Sequence, residues 1–326
     1  MPAARRLADL SSPRLPWPLR LANRVGAPLA ARLASLEEGS LLAAARERTG
    51  LDDFGDARFL EPLRVLLDAL EREAGLSPLG RFATRQLLVQ LLSNRLLVES
   101  CIRRRPQLLD TPVERPLVIA GLPRTGTTHL HNLLSPDPAW RTLPYWESLE
   151  PVPHPRDSAR PGQPDPRIAR CQRALQLLDY AMPHFRSMHE MTAESAHEEI
   201  QLLALDFSTM LFEASYHIPS YRDWYKSHDQ TPSYRYLRRV LQVIQWLRGG
   251  ARRWALKSPQ HLEQLGPLMD AFPDASVVQT HRDPLRITAS LCTMVAYGSR
   301  MQAREVDAES VGRYWAARVE DLLRGS

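Results

Sequence analysis

The run Pro116-Leu-Val-Ile-Ala-Gly121, followed by Leu122-Pro-Arg-Thr-Gly-Thr-Thr128, constrains this chain more than any other stretch. Consecutive apolar residues stopped by Gly and Pro read as a buried strand. Helical character resumes over residues 127–134, so the intervening loop joins a strand to a helix. A loop placed there aims several backbone N–H groups at one point, with the positive end of the helix behind them. That makes an anion site of phosphate size. Thr127 and Thr128 add hydroxyl donors, and Arg124 a charged one. The plainer alternative is a Gly-Pro turn that merely starts a helix; the strand before it and the helix after it favour the phosphate loop.

The rest of the chain sets this unit in an α/β frame. Residues 1–25, rich in Arg and Pro, read as a poorly structured arm. From Pro28 to about Arg104 the pattern is helical. Leu60, Leu63, Leu66, Leu67 and Leu70 recur at three and four, as do Leu87, Leu88, Leu91, Leu92, Leu96 and Leu97. Residues 51–56 separate two of these helices. Prolines at 151, 153, 155, 161, 164 and 166 mark a surface loop. Helices are expected over 167–180, 194–213 and 232–248. Two more strands are expected at 253–257 and 276–281, followed by helices at about 260–271 and 284–295; a last helix covers 308–323. Serial strand–loop–helix units predict a parallel sheet with right-handed crossovers. The division is a helical layer with its arm over 1–115 and an α/β core over 116–326, packed as one unit.

Composition narrows the function. The chain has 326 residues, with 42 Lys+Arg against 37 Asp+Glu. Only Lys226 and Lys257 are lysines, so the other forty of the 42 are arginines. A single Arg in a motif therefore carries little information, whereas a Lys carries more. The positive charge is spread out, with Arg103-Arg104-Arg105 the only triplet, which argues against nucleic acid as a partner. No apolar run reaches the roughly 18 residues of a transmembrane span. The first residues lack the apolar core of a secretory signal. Cys101, Cys171 and Cys292 are odd in number and far apart, which suggests neither a disulfide framework nor a metal site and favours a cytoplasmic setting. His129 and His131 stand two apart on a helix, so they share no face for a metal.

Against the GxxxxGK[ST] pattern of nucleotide kinases, Gly121 and Gly126 fall on the two glycines and Thr128 on the hydroxyl position. Thr127 replaces the lysine that holds a nucleoside triphosphate. The loop is built for a phosphate without that lysine. In this form Pro123-Arg-Thr-Gly-Thr-Thr128 resembles the 5′-phosphosulfate loop of sulfotransferases that use 3′-phosphoadenosine 5′-phosphosulfate (PAPS). The arginine at 124 is similar to that of tyrosylprotein sulfotransferases and a broad bacterial group, and the likeness to the bacterial group runs from about Gly50 to the end. The resemblance implies a P-loop-like three-layer fold with a central parallel sheet. It also implies a 5′-phosphosulfate site at Arg124, Thr125, Gly126, Thr127 and Thr128, and a 3′-phosphate site at Arg282 and Ser290. The latter pair stands eight residues apart, after the strand ending in His281-Arg-Asp-Pro284. PAPS chemistry needs no metal.

Leu256-Lys-Ser-Pro-Gln-His261 looks like the strand end that carries the family's catalytic lysine. Lys257 would then stabilise charge building on the departing phosphate oxygen. The acceptor must lose a proton, so a general base is expected. Glu147 stands first, near where tyrosylprotein and heparan sulfotransferases place a catalytic Glu; His261 comes second. Glu198 or Glu199, in Ala193-Glu-Ser-Ala-His-Glu-Glu199, is the third choice. The acceptor class is a small molecule or a glycan, and oligomeric state is not legible. A P-loop kinase of small molecules and a non-catalytic nucleotide-binding module are the competing functions. The sequence ends 36 residues after Ser290 (326 − 290), earlier than family members usually do, so either a truncated chain or a more open nucleotide pocket is expected.

Overall fold

The computed structural model describes residues 10, 14–28, 30–157, 162–250 and 253–325. Nearly half of the expected N-terminal arm (residues 1–9 and 11–13) lies outside them, as do residues 158–161 of the proline-rich loop.

The helical layer comprises α1 (Trp17–Gly26), α2 (Ala30–Leu33), α3 (Glu38–Thr49), α4 (Leu60–Arg72) and α5 (Pro78–Arg104). The arm is thus corrected over its second half. Pro16 and Pro18 read as breakers, but Pro18 sits in the first turn of α1, where a missing N–H costs nothing and a fixed φ helps. Helix α5 starts from the Ser77 hydroxyl, which accepts from Gly80 N–H, and buries Leu88, Leu92 and Leu96 along one stripe. Arg95 lies inside that stripe. It pairs with Asp206 at 2.9 Å, donates to the carbonyls of Phe54 and Leu205, and stacks between Phe59 and Tyr236. A buried guanidinium is tolerable only because nearly every donor is matched.

The core alternates strands and helices. In chain order these are β1 (Leu117–Gly121), α6 (Thr127–Leu134), β2 (Trp140–Arg141), α7 (Tyr145–Leu149), α8 (Pro166–Ala181), α9 (Phe185–Met188), α10 (Ile200–Leu203), α11 (Leu211–Ser215), α12 (Pro219–Ser227), α13 (Thr231–Arg248), β3 (Arg253–Lys257), α14 (Leu265–Ala271), β4 (Ser276–Thr280), α15 (Pro284–Gly298) and α16 (Ala308–Gly325). The strands form a parallel sheet in the order β2-β3-β1-β4. Central β1 pairs Ile119 with Lys257 on one side and Val278 on the other. Val118 and Ile119 are fully buried, as a doubly covered parallel strand requires. Side chains from α3, α4 and α5 share one hydrophobic core with those of the sheet and of α13, α15 and α16.

Several elements differ from expectation. The two-residue β2 and the short helices α7, α9 and α12 were not foreseen. The helix expected at 194–213 is broken into α10 and α11, because Phe207 adopts a left-handed φ of 58° and the hydroxyls of Ser208 and Thr209 bond to Gln230 and Gln260. The helix expected at 260–271 opens as a 3₁₀ turn, Pro259–Glu263, before α14. Tyr216, Tyr221 and Tyr225 are buried in the core.

Candidate active site

The phosphate loop leaves the C-terminal end of β1, Lys257 closes β3, and Arg282 follows β4. Three neighbouring strands therefore deliver their loops to one edge of the sheet, where α/β folds bind ligands. Gly121 is obligatory there. A Cβ on it would stand 2.2 Å from Thr280 Oγ1 and 2.8 Å from Thr127 Cγ2. The loop turns through two left-handed residues, Arg124 at φ 76° and Gly126 at φ 97°, the second being the residue from which α6 starts. Its first amides thus point into the loop at the positive end of α6.

Arg124 and Ser290 are 166 residues apart in sequence, yet the Arg124 Nε–H donates to Ser290 Oγ at 3.1 Å. Arg124 also donates to the Met188 carbonyl, and Arg282 Nη1 donates to the Arg124 carbonyl at 3.1 Å. Burial and the Arg282 charge hold the Arg124 guanidinium below its ordinary pKa. Among the described residues neither arginine has a carboxylate partner. Two adjacent cations without a counter-charge, over a helix start, make a site that fits phosphate groups.

Lys257 is buried. Its ammonium pairs with Glu198 and donates to Thr128 Oγ1 at 3.3 Å, so β3 supplies the cation that the loop lacks. Glu199 points the other way. One of its oxygens accepts from the Lys257 backbone N–H at 2.8 Å and the other from His261 Nε2. His261 Nδ1 then accepts from the Tyr234 hydroxyl at 2.8 Å. Burial pushes the Glu199 carboxyl up, but the His261 and Lys257 bonds outweigh it and leave the group below its ordinary value. His261, expected as a possible base, is fully buried behind Lys257 with both ring nitrogens engaged.

Glu147 has a different partner. It is buried in α7 with Oε1 on Arg248 Nε at 2.9 Å, and its other oxygen has no partner. No ion pair or hydrogen bond joins it to Lys257. Burial raises its carboxyl to about 7, against the opposing charges of Arg248, Arg167 and Arg141. From the ordinary value of 4.5 to about 7, the folded chain keeps a proton that the unfolded chain has released. Stability contributed by this group is therefore present at low pH and lost as pH rises through that window. The stability advantage of wild type over Glu147→Gln is expected to fall by about 2–3 kcal/mol between about pH 5 and about pH 8 in urea titrations.

Facing the Lys257–Glu198 pair are His131, His189 and His197, which sequence reasoning had left unassigned. Tyr145 and His197 have ring centroids 4.2 Å apart, and His197 and His189 6.2 Å. Burial holds all three histidines below their ordinary pKa, and the Lys257 charge adds to this, so they are neutral near pH 7. The segment carrying Ala196, His197 and Glu198 reaches the site by pairing antiparallel with Pro144, an isolated bridge that no local pattern announces. Among the described residues, no helix is long and apolar enough to cross a membrane, and no trio of His, Cys, Asp or Glu is arranged to hold a metal ion.

An α/β sheet with a phosphate loop at its C-terminal edge and a lysine brought to that loop defines a phosphate-loop group-transfer protein. A profile of the sulfotransferase family matches residues 116–325. The structure is similar to sulfotransferase STF1 from Mycobacterium tuberculosis, with a TM-score of 0.72 and 36% identity over 89% of this chain and 78% of that one. It is also similar to sulfotransferase STF9 from Mycobacterium avium, with a TM-score of 0.73 and 28% identity over 88% and 74%. Among curated proteins none matches significantly. The chain belongs to the sulfotransferase family, whose chemistry is sulfuryl transfer.

Proposed function

We propose that the chain transfers the sulfuryl group of PAPS to a hydroxyl or amine of a small-molecule or glycan acceptor. The observation that carries this reading is the meeting of Lys257, Thr128 and Glu198 beside the Arg124–Ser290–Arg282 cluster. The loop amides and the hydroxyls of Thr125, Thr127 and Thr128 hold the 5′ end of the donor. Arg282 and Ser290 hold the 3′-phosphate, and Arg124 lies between the two groups.

In the transfer step a bond forms from the acceptor oxygen or nitrogen to sulfur as the bond from sulfur to the 5′-phosphate oxygen breaks. The electron pair of the broken bond stays on the phosphate, where the Lys257 ammonium stabilises it. The acceptor proton goes to Glu198. Among the candidate bases, Glu198 is the carboxylate that stands against Lys257 while remaining partly open, with its side chain 20% exposed. Glu199 and His261 then act by positioning, since they fix the Lys257 backbone from behind. The neutral histidines and Tyr145 wall the acceptor side without competing for the donor's negative charge.

Calorimetry with 3′-phosphoadenosine 5′-phosphate (PAP), without magnesium and beside ATP and AMP, tests the donor assignment. PAP is expected to bind more tightly than AMP by at least about tenfold, and Arg282→Ala is expected to remove that preference. Tighter binding of ATP in a parallel titration with magnesium would instead support a kinase.

A further inference from the structure

Helix α1 presents an unpartnered apolar face of fixed orientation. Its inner side is tied down: Asn23 Oδ1 accepts from Leu79 N–H at 2.9 Å, Leu19 packs against the Tyr297 cluster, and Gly26 abuts Pro78. The outer side carries Trp17, Leu21 and Val25, four residues apart in turn and 68%, 52% and 66% exposed. At 100° per residue these three fall on one stripe, with Arg20 and Arg24 along one border.

Along α1 and the residues after it the charge has one sign. Residues 15–34 contain Arg20, Arg24 and Arg32 and no acidic residue. None of the three is in an ion pair among the described residues. Beside α1 lies a cavity of about 400 Å³ to which Arg20, Arg24 and Arg304 contribute, with no carboxylate among the described residues of its lining. Exposed apolar side chains bordered by arginines, above a cationic recess, match a bilayer surface with anionic headgroups. The acyl boundary takes the stripe, the arginine stems lie along it, and phosphates meet the guanidiniums.

We propose that α1 docks this protein on the surface of an anionic lipid bilayer, without crossing it. The inference stands independently of the donor assignment. Met188, whose carbonyl holds Arg124, packs in the same small cluster as Leu19, so the docked helix is one packing layer from the phosphate loop.

Co-sedimentation of the full chain with vesicles tests it. Binding to phosphatidylcholine vesicles containing about one-third phosphatidylglycerol is expected to exceed binding to pure phosphatidylcholine by about tenfold or more, and to weaken as salt rises. The double variants Leu21→Ser/Val25→Ser and Arg20→Glu/Arg24→Glu each change exposed side chains, so melting should be unaltered while vesicle binding drops about tenfold or more. Absence of binding to the anionic vesicles, or equal binding by both variants, would overturn the proposal. So would a concentration-dependent self-association that the variants abolish without any vesicle binding, because the stripe would then belong to a second copy of the chain.

Discussion

Replacing Lys257 by methionine is expected to lower kcat for sulfuryl transfer by about 10²–10³-fold, equivalent to about 3–4 kcal/mol of transition-state stabilisation. Negative charge grows on the phosphate oxygen only as the bond to sulfur breaks, so an ammonium aimed there acts on the transition state more than on the bound donor. The loss should therefore fall mainly in kcat, with a much smaller change in PAP affinity. Methionine keeps the length and apolar stem of a side chain that is buried at the end of β3. Arginine is expected not to restore activity, because a planar guanidinium cannot take the place of a compact ammonium wedged between Thr128 and Glu198. Single-turnover rates with and without saturating donor check both statements. A Lys257→Met enzyme within about threefold of wild type would remove the lysine from the chemistry.

Glu198→Gln is expected to reduce kcat by about 10²–10⁴-fold, whereas Glu147→Gln should stay within about tenfold of wild type. The contrast follows from placement. Glu198 faces the Lys257 ammonium, while the Glu147 carboxylate is turned to Arg248 inside α7. Rates for the two variants with one acceptor decide between them. A large loss in Glu147→Gln with an active Glu198→Gln would reverse the assignment of the base.

Much of the phosphate-loop end of the candidate site was legible because its signals are local. The apolar run of β1, the glycines at 121 and 126, and the arginine-to-serine spacing after β4 all lie within single strand–loop–helix units. There the chemistry follows from the backbone path. That Arg124 bonds to Ser290 joins two such units and needed the parallel β1–β4 pairing to appear. The placement of the candidate bases was less legible. Glu147 and Glu198 look alike along the chain, and what separates them is non-local: Arg248 at the end of α13 meets the first, Lys257 at the end of β3 the second. The bridge from Pro144 to Ala196 that brings the second segment in has no periodic signature. Short β2 failed for a similar reason, since two residues cannot show a period of two. Helix α1 was hidden by its own prolines, whose meaning depends on falling in the first turn.

The most direct test is a crystal structure of the chain with bound PAP. The 5′-phosphate is expected against the backbone N–H groups of Gly126, Thr127 and Thr128 with Lys257 turned toward it, and the 3′-phosphate on Arg282 and Ser290. Nucleotide bound with its phosphates away from this loop, or a loop left empty at saturating PAP, would contradict the account.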